Sequence, residues 1–142
     1  MFDTSHFHPM LVHFPIALVV IGFFADLANL VFKKEPCLSK TGFYLLIVGT
    51  LSAVVAWLTG ILFTADLSGS AGDVKEIHEF FAWLTLGTLI VTSVIRILML
   101  YRKSENTRLQ WIAFILYALA MIFVSITGYY GGTLVYDNMM PL

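Results

Sequence analysis

The sequence predicts an all-α membrane protein built as a four-transmembrane-helix bundle. Three observations carry this reading. Charged residues make up only 12% of the 142-residue chain, where a soluble domain carries about one quarter. Hydrophobic residues reach 59% and the mean hydropathy is +0.88. Four separate stretches attain the roughly 20 apolar residues that a helix needs to cross a bilayer. So little charge cannot cover a water-exposed surface, which argues against a soluble globular domain and against a disordered chain. A net charge of −1 offers no basic field for nucleic acid. The single cysteine, Cys37, cannot build a disulfide framework.

The first apolar stretch covers residues 10–32 and is interrupted only by Asp26. The second, 41–65, holds no charge; the third, 80–101, holds only Arg96; the fourth, 109–136, holds none. In lipid the backbone finds no solvent partner, so runs this long without alternation must be helices. They predict helices over about 10–33, 41–65, 74–101 and 109–132 in a single domain, 1–142. The first lacks a basic leader and carries Asp26, so it reads as an uncleaved insertion signal. The third has a capping-box spacing at Asp73-Val74-Lys75-Glu76, which sets its start near residue 74. Gly131-Gly132 mark the end of the fourth.

Basic residues set the expected orientation. Lys33, Lys34 and Lys40 fall at the first connector; Arg102, Lys103 and Arg108 fall at the third. Asp3, Asp66, Asp73, Glu76, Glu79 and Asp137 gather on the other side. The positive-inside rule therefore predicts connectors one and three in the cytoplasm and both termini outside. Cys37 then lies in a cytoplasmic loop as a reduced thiol.

The chain also reads as two repeated helical hairpins. His8 and His78 stand 70 apart, as do Asp26 and Arg96, while Thr59-Gly60 and Thr127-Gly128 stand 68 apart. Fixed bilayer thickness alone produces similar spacings, so a true duplication stays one of two readings.

Asp26 and Arg96 are the two charges without an aqueous position. Each would cost at least about 2.5–3.5 kcal/mol unpaired at the bilayer centre, so a structural ion pair between them is expected. We read it as a clamp on helix register in preference to a proton or ion relay, because a relay needs a chain of titratable groups. The stripe Pro15, Val19, Gly22, Asp26 and Asn29 should face the bundle interior. His78, Ala82, Thr85, Leu89, Thr92 and Arg96 form a second stripe. If Arg96 points inward, so does His78.

All four histidines, His6, His8, His13 and His78, lie at the outer end in this topology. The first helix either starts near Phe14, with His13 at its cap, or starts near Pro9 and kinks at Pro15. Two facing imidazoles in an apolar bundle suit axial ligation of haem b. His13 and His78 are the preferred pair, with His8 as the substitute. Gly60 and Gly128 would leave room beside the haem plane. His8, His13 and His78 together would suit zinc or copper instead. In the plainest reading the histidines are interfacial groups with ordinary hydrogen bonds. No CxxCH and no HExxH motif is present. No catalytic constellation appears, which argues against an enzyme.

The opening His8-Pro9-Met10-Leu11-Val12-His13-Phe14-Pro15-Ile16-Ala17-Leu18 resembles the signature of a bacterial membrane family catalogued as domain of unknown function 2231. His78 and the closing Gly131-Gly132-Thr133-Leu134-Val135-Tyr136 are similar to its other landmarks, so the likeness runs from His8 to Tyr136. His6 has no counterpart in it. The family carries no established activity. Some relatives are joined to cytochrome-c-like or iron–sulfur domains, which implies redox work by analogy. Three functions are thus expected in turn. The first is a b-type electron carrier with a membrane or periplasmic redox partner. The second is a zinc- or copper-binding membrane protein. The third is a cofactor-free structural subunit of a membrane complex.

Overall fold

The computed structural model describes residues 7–32, 35–63 and 68–137, with Phe7 and Phe63 by backbone alone. Asp3, His6, Lys33, Lys34, Asp66 and position 65 lie outside the described residues. Five helices follow in order: α1 (Phe7–Leu11), α2 (His13–Val31), α3 (Pro36–Phe63), α4 (Ser70–Tyr101) and α5 (Thr107–Tyr136). Four spans are long and apolar enough to cross a membrane, the first uniting α1 and α2 over His8–Val31. Leu51, Ile61, Phe80, Trp83 and Ile115 are among the large side chains that stay exposed along their flanks. This apolar belt contacts the lipid bilayer.

The first span begins close to the Pro9 start and well before the Phe14 start. Helical backbone is already present at Phe7, with Pro9 inside the first turn, where its missing N–H costs nothing. Val12 interrupts the hydrogen-bond pattern but keeps αR angles (φ −63°, ψ −23°), and its N–H still bonds to the His8 carbonyl at 3.1 Å. Pro15, one turn further on, has no N–H to offer the Leu11 carbonyl.

α3, α4 and α5 also start earlier than predicted, and α5 ends later. α3 starts at Pro36, so Cys37 sits in its first turn and not in a loop. α4 starts at Ser70 after Gly69 (φ 69°), which puts Asp73 in the first turn and not at the cap. There its carboxylate still complements the positive helix end. α5 starts after Asn106, whose side chain accepts from the Arg108 and Leu109 N–H groups at 3.0 and 3.3 Å. It continues through Gly131-Gly132 to Tyr136. Two glycines do not end a helix where no water replaces its internal hydrogen bonds.

α2 packs most closely on α3, and α4 on α5; α5 with α2 and α3 with α4 close the ring. Each sequence hairpin is therefore a packed unit, and α2 and α4 face each other diagonally. Pro15, Val19, Gly22, Phe23 and Asp26 are the buried residues of α2; Thr85, Leu86, Leu89, Thr92 and Ser93 are those of α4. Val19, Phe23, Leu46, Ala53, Leu89, Tyr117, Ala120 and Val124 form the core. Gly49, Ala53 and Ala56 give α3 a small-residue face; a Cβ on Gly49 would already stand 3.0 Å from Val19 Cγ2. Among membrane helices this close approach replaces the hydrophobic effect as the source of packing energy.

Candidate functional site

Two polar sites lie at opposite ends of the bundle. The histidine end forms where α1, α3, α4 and α5 meet. The His8 and His78 rings stand perpendicular with centroids 6.5 Å apart. Each ring is fastened through Nδ1 by its own hairpin. His8 Nδ1 lies 3.1 Å from Thr59 Oγ1, and the Thr59 hydroxyl spends its own proton on the Ala56 carbonyl at 2.8 Å. The Thr59 oxygen must then accept, so His8 Nδ1 carries the proton. His78 Nδ1 donates to the Thr127 carbonyl at 2.9 Å. Both imidazoles are thereby held as Nδ1–H tautomers. Their Nε2 atoms keep a lone pair and have no hydrogen-bond partner among the described residues.

Glycines make room for these rings. A Cβ on Gly60 would stand 3.0 Å from His8 Cε1, and one on Gly131 would stand 3.2 Å from His78 Cε1. Gly128, the residue singled out from sequence, packs instead on Ile16, whose Cδ1 would lie 2.9 Å from an added Cβ. The wall beside His78 is thus Gly131, one helical turn further along α5.

His13 does not join the pair. Its ring folds back toward α1 and donates from Nδ1 to the Pro9 carbonyl at 2.8 Å, on the exposed side. The structure brings His8, and not the preferred His13, to His78. Five residues of helix separate His8 from His13, which turns them about 140° apart around the axis. The triad His8, His13 and His78 is therefore not assembled, and no group of three or more potential metal ligands occurs among the described residues.

Hydroxyls lead inward from the histidines. Thr127 Oγ1 and Thr85 Oγ1 stand 3.3 Å apart, and Thr50 Oγ1 meets Ser93 Oγ at 2.8 Å. Most of these hydroxyls also donate to a carbonyl of the preceding turn: Thr85 to Phe81 and Thr50 to Leu46 at 2.8 Å each, and Thr92 to Thr88 at 2.6 Å. A hydroxyl committed to a carbonyl breaks a proton chain, so these groups satisfy their helices first.

The second site is the charge pair, nearer the end that bears Lys40, Arg102, Lys103 and Arg108. Arg96 Nη2 reaches across the bundle diagonal and lies 2.9 Å from both Asp26 oxygens, with hydrogen-bond geometry to Oδ1 only. Asp26 is 5% exposed, as deep as the apolar core around it. Its carboxylate fits because position 42 is glycine: a Cβ there would collide with it. Tyr117, fully buried in the core, places its hydroxyl against Gly22 in the same way. Asp26 Oδ2 and the Tyr117 hydroxyl are the buried side-chain oxygens left without a hydrogen bond among the described residues. Oδ2 is compensated by the guanidinium at 2.9 Å, so the Tyr117 hydroxyl is the one that bears the cost of burial without a partner.

A cavity of about 670 Å³ opens beside the pair, with lining from α2, α3, α4, α5 and the turn after α4. Sequence reasoning found Asp26 and Arg96 but not this cavity. Its other walls are ordinary interfacial residues that no local motif sets apart.

The family model for predicted membrane proteins of domain of unknown function 2231 matches residues 4–140. The chain belongs to this family. No curated protein and no solved structure matches it. Family membership adds no activity, so chemistry must be argued from the two sites.

Proposed function

We propose that this family member is a small membrane electron carrier that binds one b-type haem through His8 and His78. The observation that carries the reading is the imidazole pair: centroids 6.5 Å apart, each ring tied through Nδ1. His8 and His78 would hold the group through their unspent Nε2 nitrogens, since each Nδ1 is already bonded within its own hairpin. Anchoring Nδ1 to a hydroxyl or carbonyl is also how proteins fix the tautomer of a ligating histidine and raise its basicity. Two neutral imidazoles are a donor set of the kind haem takes, and Gly60 and Gly131 let the rings pack in place by carrying no Cβ against their Cε1 edges. Haem, when bound, supplies one-electron redox chemistry. The chain holds the two rings, fixes their protonation, and keeps the surroundings apolar. By the positive-inside argument the histidine end faces out of the bacterial cytoplasmic membrane, toward a membrane or periplasmic redox partner.

A second reading has one specific observation behind it. Among the described residues two imidazoles converge, which suits copper(I) better than zinc, because zinc asks for about four ligands. The two are separated by purifying the protein in detergent after expression with iron, copper and a haem precursor. Absorption spectra and metal content are then recorded for the wild type and for His8→Ala, His78→Ala and His13→Ala. A Soret band that His8→Ala and His78→Ala abolish and His13→Ala retains supports haem. Stoichiometric copper without that band supports the second reading. Neither metal nor band in protein of intact helicity overturns both and leaves a cofactor-free structural subunit.

A further inference from the structure

The cavity at the basic end carries an inference independent of the histidine pair. We propose that it is a binding site for the phosphate head of an amphipathic anion, with Arg96 at its base and Lys40 and Lys103 at its rim.

The guanidinium is only partly engaged. Arginine offers five N–H donors in a rigid fork. Arg96 spends only Nη2, on Asp26. Its remaining N–H groups have no acceptor among the described residues, and its side chain lines the cavity at 18% exposure. Asp26 thus acts as a positioning residue: it holds one corner of the fork so that the rest is offered to the cavity. Guanidinium N–H groups offered into a cavity form their strongest hydrogen bonds with a charged acceptor.

The lining charge is positive. Lys40, Arg96 and Lys103 line the cavity together with Asp26 and Glu105, which leaves one net positive charge. The amides of Asn29 and Gln110 and the hydroxyls of Ser39 and Ser104 are also in its wall, as neutral donors. Guanidinium and ammonium groups converging from several directions match the tetrahedral oxygens of phosphate.

The remainder of the wall is apolar. Phe43, Tyr44, Trp111 and Phe114 supply an apolar and aromatic face beside the charged one. Tyr44 and Trp111 are largely exposed, at 63% and 52%, where this face opens toward the bilayer boundary. A free phosphate ion would use only the polar half. A phosphate joined to an apolar body would use both. The same chemistry is found in an anionic lipid headgroup and in a free phosphate compound, and the test tells them apart.

Trp111 reports on the site once Trp57→Phe and Trp83→Phe make it the sole tryptophan. The full-length protein in detergent is titrated with dihexanoyl phosphatidic acid, dihexanoyl phosphatidylcholine and inorganic phosphate while Trp111 emission is followed. The expected result is a saturable change with phosphatidic acid at least about tenfold tighter than with phosphatidylcholine. Lys40→Gln with Lys103→Gln, both at the rim and clear of the core, should weaken it about tenfold. Asp26→Asn with Arg96→Gln, which removes both charges together and so leaves none unpaired, should abolish it. Saturation by inorganic phosphate at similar concentrations assigns the site to a free phosphate compound; response to the amphiphile alone assigns it to a lipid headgroup. No saturable change, an equal response to phosphatidylcholine, or binding untouched in both double variants overturns the proposal.

Discussion

The two ends of the bundle handle buried polarity in opposite ways. At the histidine end each Nδ1 is bonded within its own hairpin, His8 to Thr59 and His78 to the Thr127 carbonyl. What stays unspent is a pair of Nε2 lone pairs, the group a metal takes. At the basic end the bond crosses between hairpins, from Arg96 to Asp26, and unspent guanidinium N–H donors remain beside a cavity. One end presents neutral, basic nitrogen; the other presents cationic donors. The contrast follows from the partners. A histidine is satisfied by one local acceptor, whereas a charge in lipid demands an opposite charge, and the nearest one lies across the bundle.

The strongest way to break this contrast is to remove one charge only. Arg96→Leu leaves the Asp26 carboxylate buried and uncompensated, and should cost about 3–5 kcal/mol. Folded yield and melting temperature in detergent should collapse, and Asp26→Asn in the same chain should recover much of the loss. A melting temperature indifferent to Arg96→Leu would mean that the pair contributes nothing to the fold.

Gly42→Ala comes next. Its added methyl meets the Asp26 carboxylate, where overpacking costs typically 1–3 kcal/mol, so a clear drop in thermal stability is expected. The matching change at the other end, Gly131→Ala, presses only on the His78 ring at 3.2 Å. It should leave the melting temperature within a few degrees and alter whatever signal the histidine pair gives. Equal losses at the two positions would erase the distinction between a rigid charge site and a yielding histidine site.

The smallest effects sharpen the comparison. Tyr117→Phe deletes a hydroxyl that has no hydrogen bond, so stability should hold or rise by up to about 1 kcal/mol. A substantial loss would show that the hydroxyl has a partner in the membrane. His13→Ala should change neither melting temperature nor absorption spectrum, because its ring bonds only to the adjoining turn on the exposed side.

Much of this architecture was legible in the chain. Bilayer thickness and the cost of unbonded backbone dictate four long helices, and period 3.6 dictates which faces turn inward. Val19, Gly22 and Asp26 on α2 are buried as the stripe required, as are Thr85, Leu89 and Thr92 on α4. The pairing of Asp26 with Arg96 follows from charge economy alone. The histidine site was legible by half. The stripe ending at Arg96 turned His78 inward, but the partner depended on where the first helix begins. Starting at Phe7 sends His8 inward and His13 outward; starting at Phe14 would have left both free to turn. Gly128 and Gly131 likewise lie one turn apart on the same face, and only the height of His78 in the bundle selects Gly131.

The sequence by itself determined the solvent, the number of spans, their inward faces and the two charges that must meet, since each follows from local period or from the cost of charge in lipid. Tertiary structure decided which histidine faces His78, which glycines make room for the rings, and that a cavity opens beside Arg96. These depend on how far helices from separate parts of the chain slide and rotate against one another, and no single stretch of sequence carries that information.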